Sequence, residues 1–200
     1  LKSNAHFLKL TVILAMALIA LAPLRARALL TCGELFSNGS GNDFQVSLAG
    51  AHQRDEIIRF VRLQRTRLGV DPEQGADGRS TIEDLKSIEK YYGRGHGRFF
   101  IVADDLGTVG TIGYTRVALA TCEIKRIYLD ERVRGKGEGR RLVEMAIRNA
   151  REDGYRTMIL QTRPEMSDAL NLYEKLGFKK DATRSNDSVY FYSLDLRAKS

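Results

Sequence analysis

The chain has 200 residues, a formal net charge of +7 and a pI near 9.5. That length sets one domain with room for a sizeable core, and the charge favours an anionic partner (nucleic acid, anionic lipid or a phosphorylated small molecule) without choosing among them. Cys32 and Cys122 are too few for a disulfide framework, and His6, His52 and His96 are too scattered for metal-ligand spacing, so no metal is expected.

In chain order, residues 10–24 contain one polar residue, Thr11, with Lys2, His6 and Lys9 before the run and Arg25 and Arg27 after it. The run is shorter than the ~20 apolar residues of a bilayer span and closer to a signal-peptide core, followed by the small-x-small pattern Ala26-Arg27-Ala28. The expectation is a targeting or anchoring segment, membrane-attached or organelle-directed, with cytoplasmic placement as the alternative. Basic residues on both sides leave its orientation open. Residues 37–42 (SNGSGN) read as a linker. The segment 1–42 is therefore set apart from a folded domain over 43–200.

Phe44, Val46 and Leu48 alternate as in a strand. Residues 52–68 have helical spacing, with Ile57, Val61 and Leu68 on one face and Arg59, Arg62 and Arg65 away from it. That arginine row lacks interleaved aromatic or glycine-rich partners, so it reads as a solvated face and not as a nucleic-acid surface. Residues 71–79 (DPEQGADGR) form a loop, and 81–91 a helix with Ile82, Leu85 and Ile88 at suitable spacing. Residues 98–103 and 108–117 make a hairpin turning at 104–107, in which Gly110 and Gly113 mark a bulge or a close backbone approach. After 121–129 comes a helix with Leu142, Met145, Ala146, Ile147 and Ala150 inward, stopped by Gly154. Met158, Ile159 and Leu160 then suggest a strand covered on both faces, 167–176 a helix ended by Gly177, and 188–194 a last strand. This order predicts a mixed α/β domain with a largely antiparallel sheet.

Two features of 121–141 point to a ligand. Cys122 and Ile124 alternate correctly, as do Ile127 and Leu129, but the pairs are out of step by one residue, so a β-bulge near Lys125-Arg126 is expected. The unpaired backbone beyond a bulge is open to an added extended chain along Ile127, Tyr128 and Leu129. Next, Arg134-Gly135-Lys136-Gly137-Glu138-Gly139 opens the following helix, with Arg140 and Arg141 adding charge. Unpartnered first-turn amides and the helix dipole make such a start an anion site. The G-x-G-x-G spacing is neither a dinucleotide fingerprint nor a P-loop.

Arg-x-x-Gly-x-Gly after a bulged strand, followed about 30 residues later by Asn171-Leu172-Tyr173-Glu174-Lys175-Leu176-Gly177-Phe178, resembles the GCN5-related N-acetyltransferase (GNAT) superfamily, over roughly residues 44–194. The resemblance implies a central mixed, mostly antiparallel sheet that splays into a V between its fourth and fifth strands, with acetyl-CoA in the cleft. It further implies pantetheine on the backbone of Ile127, Tyr128 and Leu129, and pyrophosphate on the turn of Arg134, Gly135, Lys136, Gly137, Glu138, Gly139 and Arg140. Asn171 would bond the pantetheine arm, Tyr173 would serve the leaving thiolate as general acid, and Glu123 would draw a proton from the attacking amine. Glu138 departs from the pattern, standing where the family usually has an apolar residue: turned to solvent it costs little, turned to the ligand it repels phosphate. The implied activity is acetyl transfer from acetyl-CoA to a primary amine in a ternary complex. A non-catalytic acyl-CoA-binding module is the alternative. The acceptor would be shaped by the 71–79 loop, the first two helices and the segment after Phe178, and the basic balance weighs against a strongly cationic one. The sequence does not separate a monomer from a homodimer.

Overall fold

Phe99, Phe100, Ile101 and Val102 form an unbroken apolar run and all four are buried, which requires cover on both faces of their strand. The computed structural model describes residues 34–37, 43–75, 80–93 and 95–197. Its strands are β1 (Glu34–Ser37), β2 (Asp43–Leu48), β3 (Gly97–Asp104), β4 (Gly107–Ala118), β5 (Thr121–Leu129), β6 (Thr157–Thr162), β7 (Lys179–Lys180) and β8 (Tyr190–Asp195). The helices are α1 (Arg54–Arg67), α2 (Glu83–Lys86), α3 (Ile88–Tyr92), α4 (Glu138–Glu152) and α5 (Ser167–Lys175).

The strands form one sheet in the order β1-β2-β3-β4-β5-β6-β8-β7. The β5–β6 pair is parallel, whereas β2–β3, β3–β4, β4–β5, β6–β8 and β7–β8 are antiparallel. The expected mixed, mostly antiparallel α/β architecture is thus observed. On one face, Phe100 and Val102 join Cys122, Leu142, Val143, Ala146, Met158 and Leu160 in a core that includes α4. On the other, Phe99 and Ile101 join Ile57, Val61, Ile82, Leu85, Ile88 and Tyr92 of α1–α3 and the turn before α2.

β5 pairs with β4 along its length but with β6 only where Thr121, Cys122 and Glu123 face Thr157, Met158 and Ile159. Beyond Glu123 the two strands part, and Gln161 and Thr162 pair with β8 alone. These are the fourth and fifth strands counted from Phe44, since β1 is an addition at the sheet edge.

Four local expectations need correction. Ser37, read as the start of a linker, ends β1, while 38–42 lie outside the described residues. The helix over 81–91 is broken at Ser87 (φ −137°, ψ 60°). The three-residue spacing of Ile82, Leu85 and Ile88 drifts around a 3.6-residue helix, and the break returns Ile88 to the face of Leu85. Ile159 is only half-buried while Met158 and Leu160 are buried, because its face of β6 borders the parted strands. Arg62 and Arg65 are not merely solvated. Arg62 Nε lies 2.5 Å from Glu73 Oε1, and Arg65 donates to the carbonyls of Asp71 (2.8 Å) and Gln74 (2.9 Å), so both hold the 71–74 loop against α1.

The expectation of a membrane-anchored or organelle-directed protein is also corrected: among the described residues no helix is long and apolar enough to cross a membrane. The 10–24 run on which it rested, and Cys32, lie outside the described residues.

Candidate functional site

The phase slip is a bulge. On β4, Thr111 and Gly113 stand opposite Tyr128 and Lys125, so β5 carries one residue more than its partner over this interval. Arg126 takes it up in a left-handed conformation, φ 56°, which costs a non-glycine residue about 1–2 kcal/mol. Three contacts offset that cost. Thr111 Oγ1 donates to the Arg126 carbonyl at 2.8 Å, accounting for the acceptor that the bulge displaces. Arg126 Nη2 lies 2.8 Å from Asp84 Oδ1, and its Nε lies 3.2 Å from both Asp84 oxygens. The Tyr92 hydroxyl also donates to Asp84; burial, and then the adjacent carboxylate, push that phenol well above its usual range. The two alternating pairs of β5 consequently share a side: Cys122 and Ile124 are buried in the α4 core, and Ile127 and Leu129 are half-buried against it. Tyr128 packs on the opposite cluster, and its hydroxyl accepts from Arg65 Nη1 at 3.2 Å.

Past β5 the chain is pinned before it turns. Asp130 accepts from the Arg132 amide at 3.1 Å and pairs with Arg67 at 3.0 Å. Arg134 donates to the Leu129 carbonyl at 2.8 Å and to Gln64 Oε1 at 3.1 Å. Its guanidinium therefore ties the turn to the strand end and to α1. Gly135 (φ 73°) and Gly137 (φ 84°) are both left-handed, and no atom lies within 4 Å of where a Cβ would stand on either. Gly137 is the N-cap of α4, so the amides of residues 138–140 open onto that space. A Cβ on Gly139 would lie 3.5 Å from Leu129 and 3.6 Å from Leu172, so the first turn of α4 sits between the unpaired half of β5 and α5. Lys136 is exposed, and Arg140 pairs with Glu144 at 2.8 Å. Glu138 does not face solvent: it is buried, 3.4 Å from Arg141.

Tyr173 is buried with its ring edge-to-face on Phe178, centroids 5.8 Å apart. Burial first, and then the neighbouring Tyr128 phenol, raise its pKa above the usual tyrosine range, so it stays protonated at any physiological pH. Asn171 is exposed on α5. Glu123 is 7% exposed at the point where β5 and β6 part. Its Oε1 accepts from Gln161 Nε2 at 2.9 Å, and Lys125 Nζ lies 3.2 Å from its Oε2.

The structure thus brings Ile127, Tyr128 and Leu129, the 134–140 turn and Gly139's neighbour α5 to one edge of the cleft, with Glu123 at its apex. Sequence reasoning missed Gln161, Asp84 and Gln64. Gln161 stands out only as a polar residue near the end of β6, and no local pattern ties it to Glu123. Gln64 is wholly buried with its Nε2 unpartnered, and nothing in the local pattern signals that. Among the described residues no three His, Cys, Asp or Glu side chains group as metal ligands.

Comparison with known proteins agrees with this geometry. The Acetyltransferase (GNAT) family profile matches residues 55–178, more than half of the chain. The uncharacterized N-acetyltransferase YjgM of Escherichia coli is 28% identical over 128 residues, covering 62% of this chain and 74% of that protein. Human N-acetyltransferase 8B is 36% identical over 103 residues, 48% of this chain and 45% of that protein, so the chain spans under half of that relative. Among solved structures, a GNAT-family acetyltransferase from Staphylococcus aureus Mu50 superposes with a TM-score of 0.65 at 22% identity, covering 76% of this chain and 99% of the other. The putative acetyltransferase yncA from Salmonella typhimurium, solved with its cofactor acetyl-CoA, gives 0.59 at 17% identity, covering 76% and 94%. At these identities the structures speak for the fold, and the profile match across the bulged strand, the glycine turn and α5 shows that the chain belongs to the acetyltransferase (GNAT) family.

Proposed function

We propose that this domain binds acetyl-CoA along the parted edge of β5 and, in the finer reading, transfers the acetyl group to a primary amine by direct attack in a ternary complex. The observation that carries the reading is the adjacency of a strand half, 127–129, left unpaired on its β6 side, to a left-handed glycine turn at the start of α4. Pantetheine is extended and carries two amides, which suits the backbone of Ile127, Tyr128 and Leu129. Pyrophosphate suits the amides of 135–140, and the space at Gly135 and Gly137 lets phosphate approach the backbone. Lys136 would add charge there, with Arg134 holding the turn in place, Glu138 buried beneath it and Asn171 reaching the arm from α5.

Acetyl-CoA supplies an activated thioester. Tyr173, kept as a neutral phenol by burial, would donate a hydrogen bond to the departing thiolate. Glu123, already accepting from Gln161, would take a proton from the amine so that its lone pair can attack.

One observation favours a purely binding role as the second reading: Lys125 and Gln161 already occupy the two oxygens of Glu123. The readings separate in two measurements. Acetyl-CoA at 100 times its Kd is expected to raise Tm by roughly 5–10 °C, and no shift at millimolar concentration would sink both. Binding without CoA release across a panel of amines would leave the second alone. If transfer occurs, Tyr173→Phe is expected to lower kcat about 10²-fold with the acetyl-CoA-induced Tm shift retained; an unchanged kcat would remove Tyr173 from the chemistry.

A further inference from the structure

The apex of the cleft carries an ion pair that no role above requires, and its geometry specifies an acceptor. We infer that the acceptor is a zwitterionic α-amino carboxylate, its amine taken by Glu123 and its carboxylate by Lys125. This rests on the proposed acetyl transfer.

Glu123 is the last residue of β5 paired with β6, opposite Ile159, so both side chains lie on one face of the sheet. Lys125, two residues on along β5, and Gln161, two residues on along β6, share that face where the strands have parted. The three side chains are joined: Gln161 Nε2 to Glu123 Oε1 at 2.9 Å, and Lys125 Nζ to Glu123 Oε2 at 3.2 Å. Their exposure is unequal. The Glu123 side chain is 9% accessible and that of Lys125 33%, so the anion is sunk and the cation is what an incoming molecule meets first. The neighbouring charges are already committed, Arg126 to Asp84 and Arg65 to Tyr128 and two backbone carbonyls.

A simple amine, protonated at neutral pH, that bonds Glu123 Oε2 places its positive charge beside Lys125. A carboxylate one bond away from the amine-bearing carbon removes that penalty. In an α-amino acid the nitrogen and the nearer carboxylate oxygen are roughly 3 Å apart by standard covalent geometry. That matches the 3.2 Å between Lys125 Nζ and Glu123 Oε2 with the charges reversed. Docking such a molecule replaces one ion pair by an alternating square of four charges, with Gln161 still holding the far oxygen of Glu123. The inference also fits the bias of a chain with net charge +7 against a strongly cationic acceptor.

The test uses the full chain with acetyl-CoA and three matched sets of probes: the proteinogenic amino acids, their α-carboxamides and their decarboxylated amines. CoA release and isothermal titration are measured for each. The best amino acid is expected to exceed its carboxamide and its amine at least about 10-fold in kcat/KM and in affinity. Lys125→Met is expected to bring that ratio to about one, and Lys125→Arg to preserve it. Carboxamides or plain amines used as well as the acids, or a ratio that survives Lys125→Met in a variant with native circular dichroism, would overturn the inference while leaving acetyl transfer standing. If acetyl-CoA binds but nothing is acetylated, the transfer reading fails, and titration of acids against carboxamides still decides this one: equal affinities overturn it.

Discussion

The two halves of β5 differ in what surrounds them, though both belong to the same strand. From Thr121 to Glu123 the strand is hydrogen-bonded on both sides, and its buried groups are Cys122 and the clamped Glu123. From Ile127 to Leu129 it has β4 on one side, half-buried side chains, and the glycine turn beside it. The first half is built like a core strand and the second like a strand waiting for a neighbour. Arg126, between them, fixes the change, so the boundary is held by a side chain and not by a glycine. The open half begins beyond a bulge whose extra residue, Arg126, is held by an ion pair on the α2 side, and the bulge keeps Ile127 and Leu129 on the face of Cys122 and Ile124.

The strongest way to break the comparison is to remove its hinge. Asp84→Ala leaves the Arg126 guanidinium buried without its carboxylate and takes away the acceptor of Tyr92, an expected loss of about 3–5 kcal/mol and roughly 10 °C in Tm. Urea unfolding checks it, and a loss below about 1 kcal/mol would mean that the bulge is held by Thr111 and packing alone. A smaller effect is expected in the open half. Gly137→Ala places a Cβ at φ 84° with no atom to strike, so the cost is conformational, about 1–2 kcal/mol. It should also weaken acetyl-CoA binding in titration, because the amides of residues 138–140 turn with it; undiminished affinity would detach the turn from the coenzyme.

The gentlest test sits in the closed half and uses pH. Burial pushes the Cys122 thiol up to about 12, against 9.0 for an unburied thiol. Tyr114, buried and bonded to Asp153, and Tyr92 are raised as well. A raised acid is held neutral by the fold, so the unfolded chain loses its proton first. The stabilisation is complete below about 9 and drains away as pH rises toward about 12. Tm is therefore expected to hold up to pH 8.5 and fall above it, with a shallower fall in Cys122→Ala. A flat profile to pH 11 would show that these groups are wetter than their burial indicates.

How much of this was legible in the residues follows from the range of the forces. The slip between Ile124 and Ile127 is a period-two signal carried by four side chains, so the bulge could be read directly, and Gly135 and Gly137 announce left-handed backbone by having no Cβ. The fate of Glu138 depended on packing around α4, which a helix-start pattern does not encode, and of the two outcomes drawn from the sequence the solvent-facing one gave way to burial beside Arg141. The arginine row of α1 shows the same limit. Its spacing gives the face of the helix, but a return of the chain at 71–74 makes Arg62 and Arg65 into clasps. Gln161 and Asp84 matter only through partners 38 and 42 residues away, a separation at which local pattern is silent.

The parting of β5 from β6 has a consequence for the sheet as a mechanical object. Between Glu123 and the strand ends no ladder crosses from one leaf to the other, so the cross-strand bonds joining β2–β5 to β6–β8 lie at Thr121–Glu123, near the open end of neither leaf. In amide hydrogen exchange such a seam is expected to open before the strands it joins, and uniform protection across β4, β5 and β6 would show that the shared core holds it shut. Cys122, at the centre of those paired residues and bonded through its thiol to the Thr157 carbonyl at 3.8 Å, would then meet an alkylating reagent at a rate that reports the seam and not global unfolding.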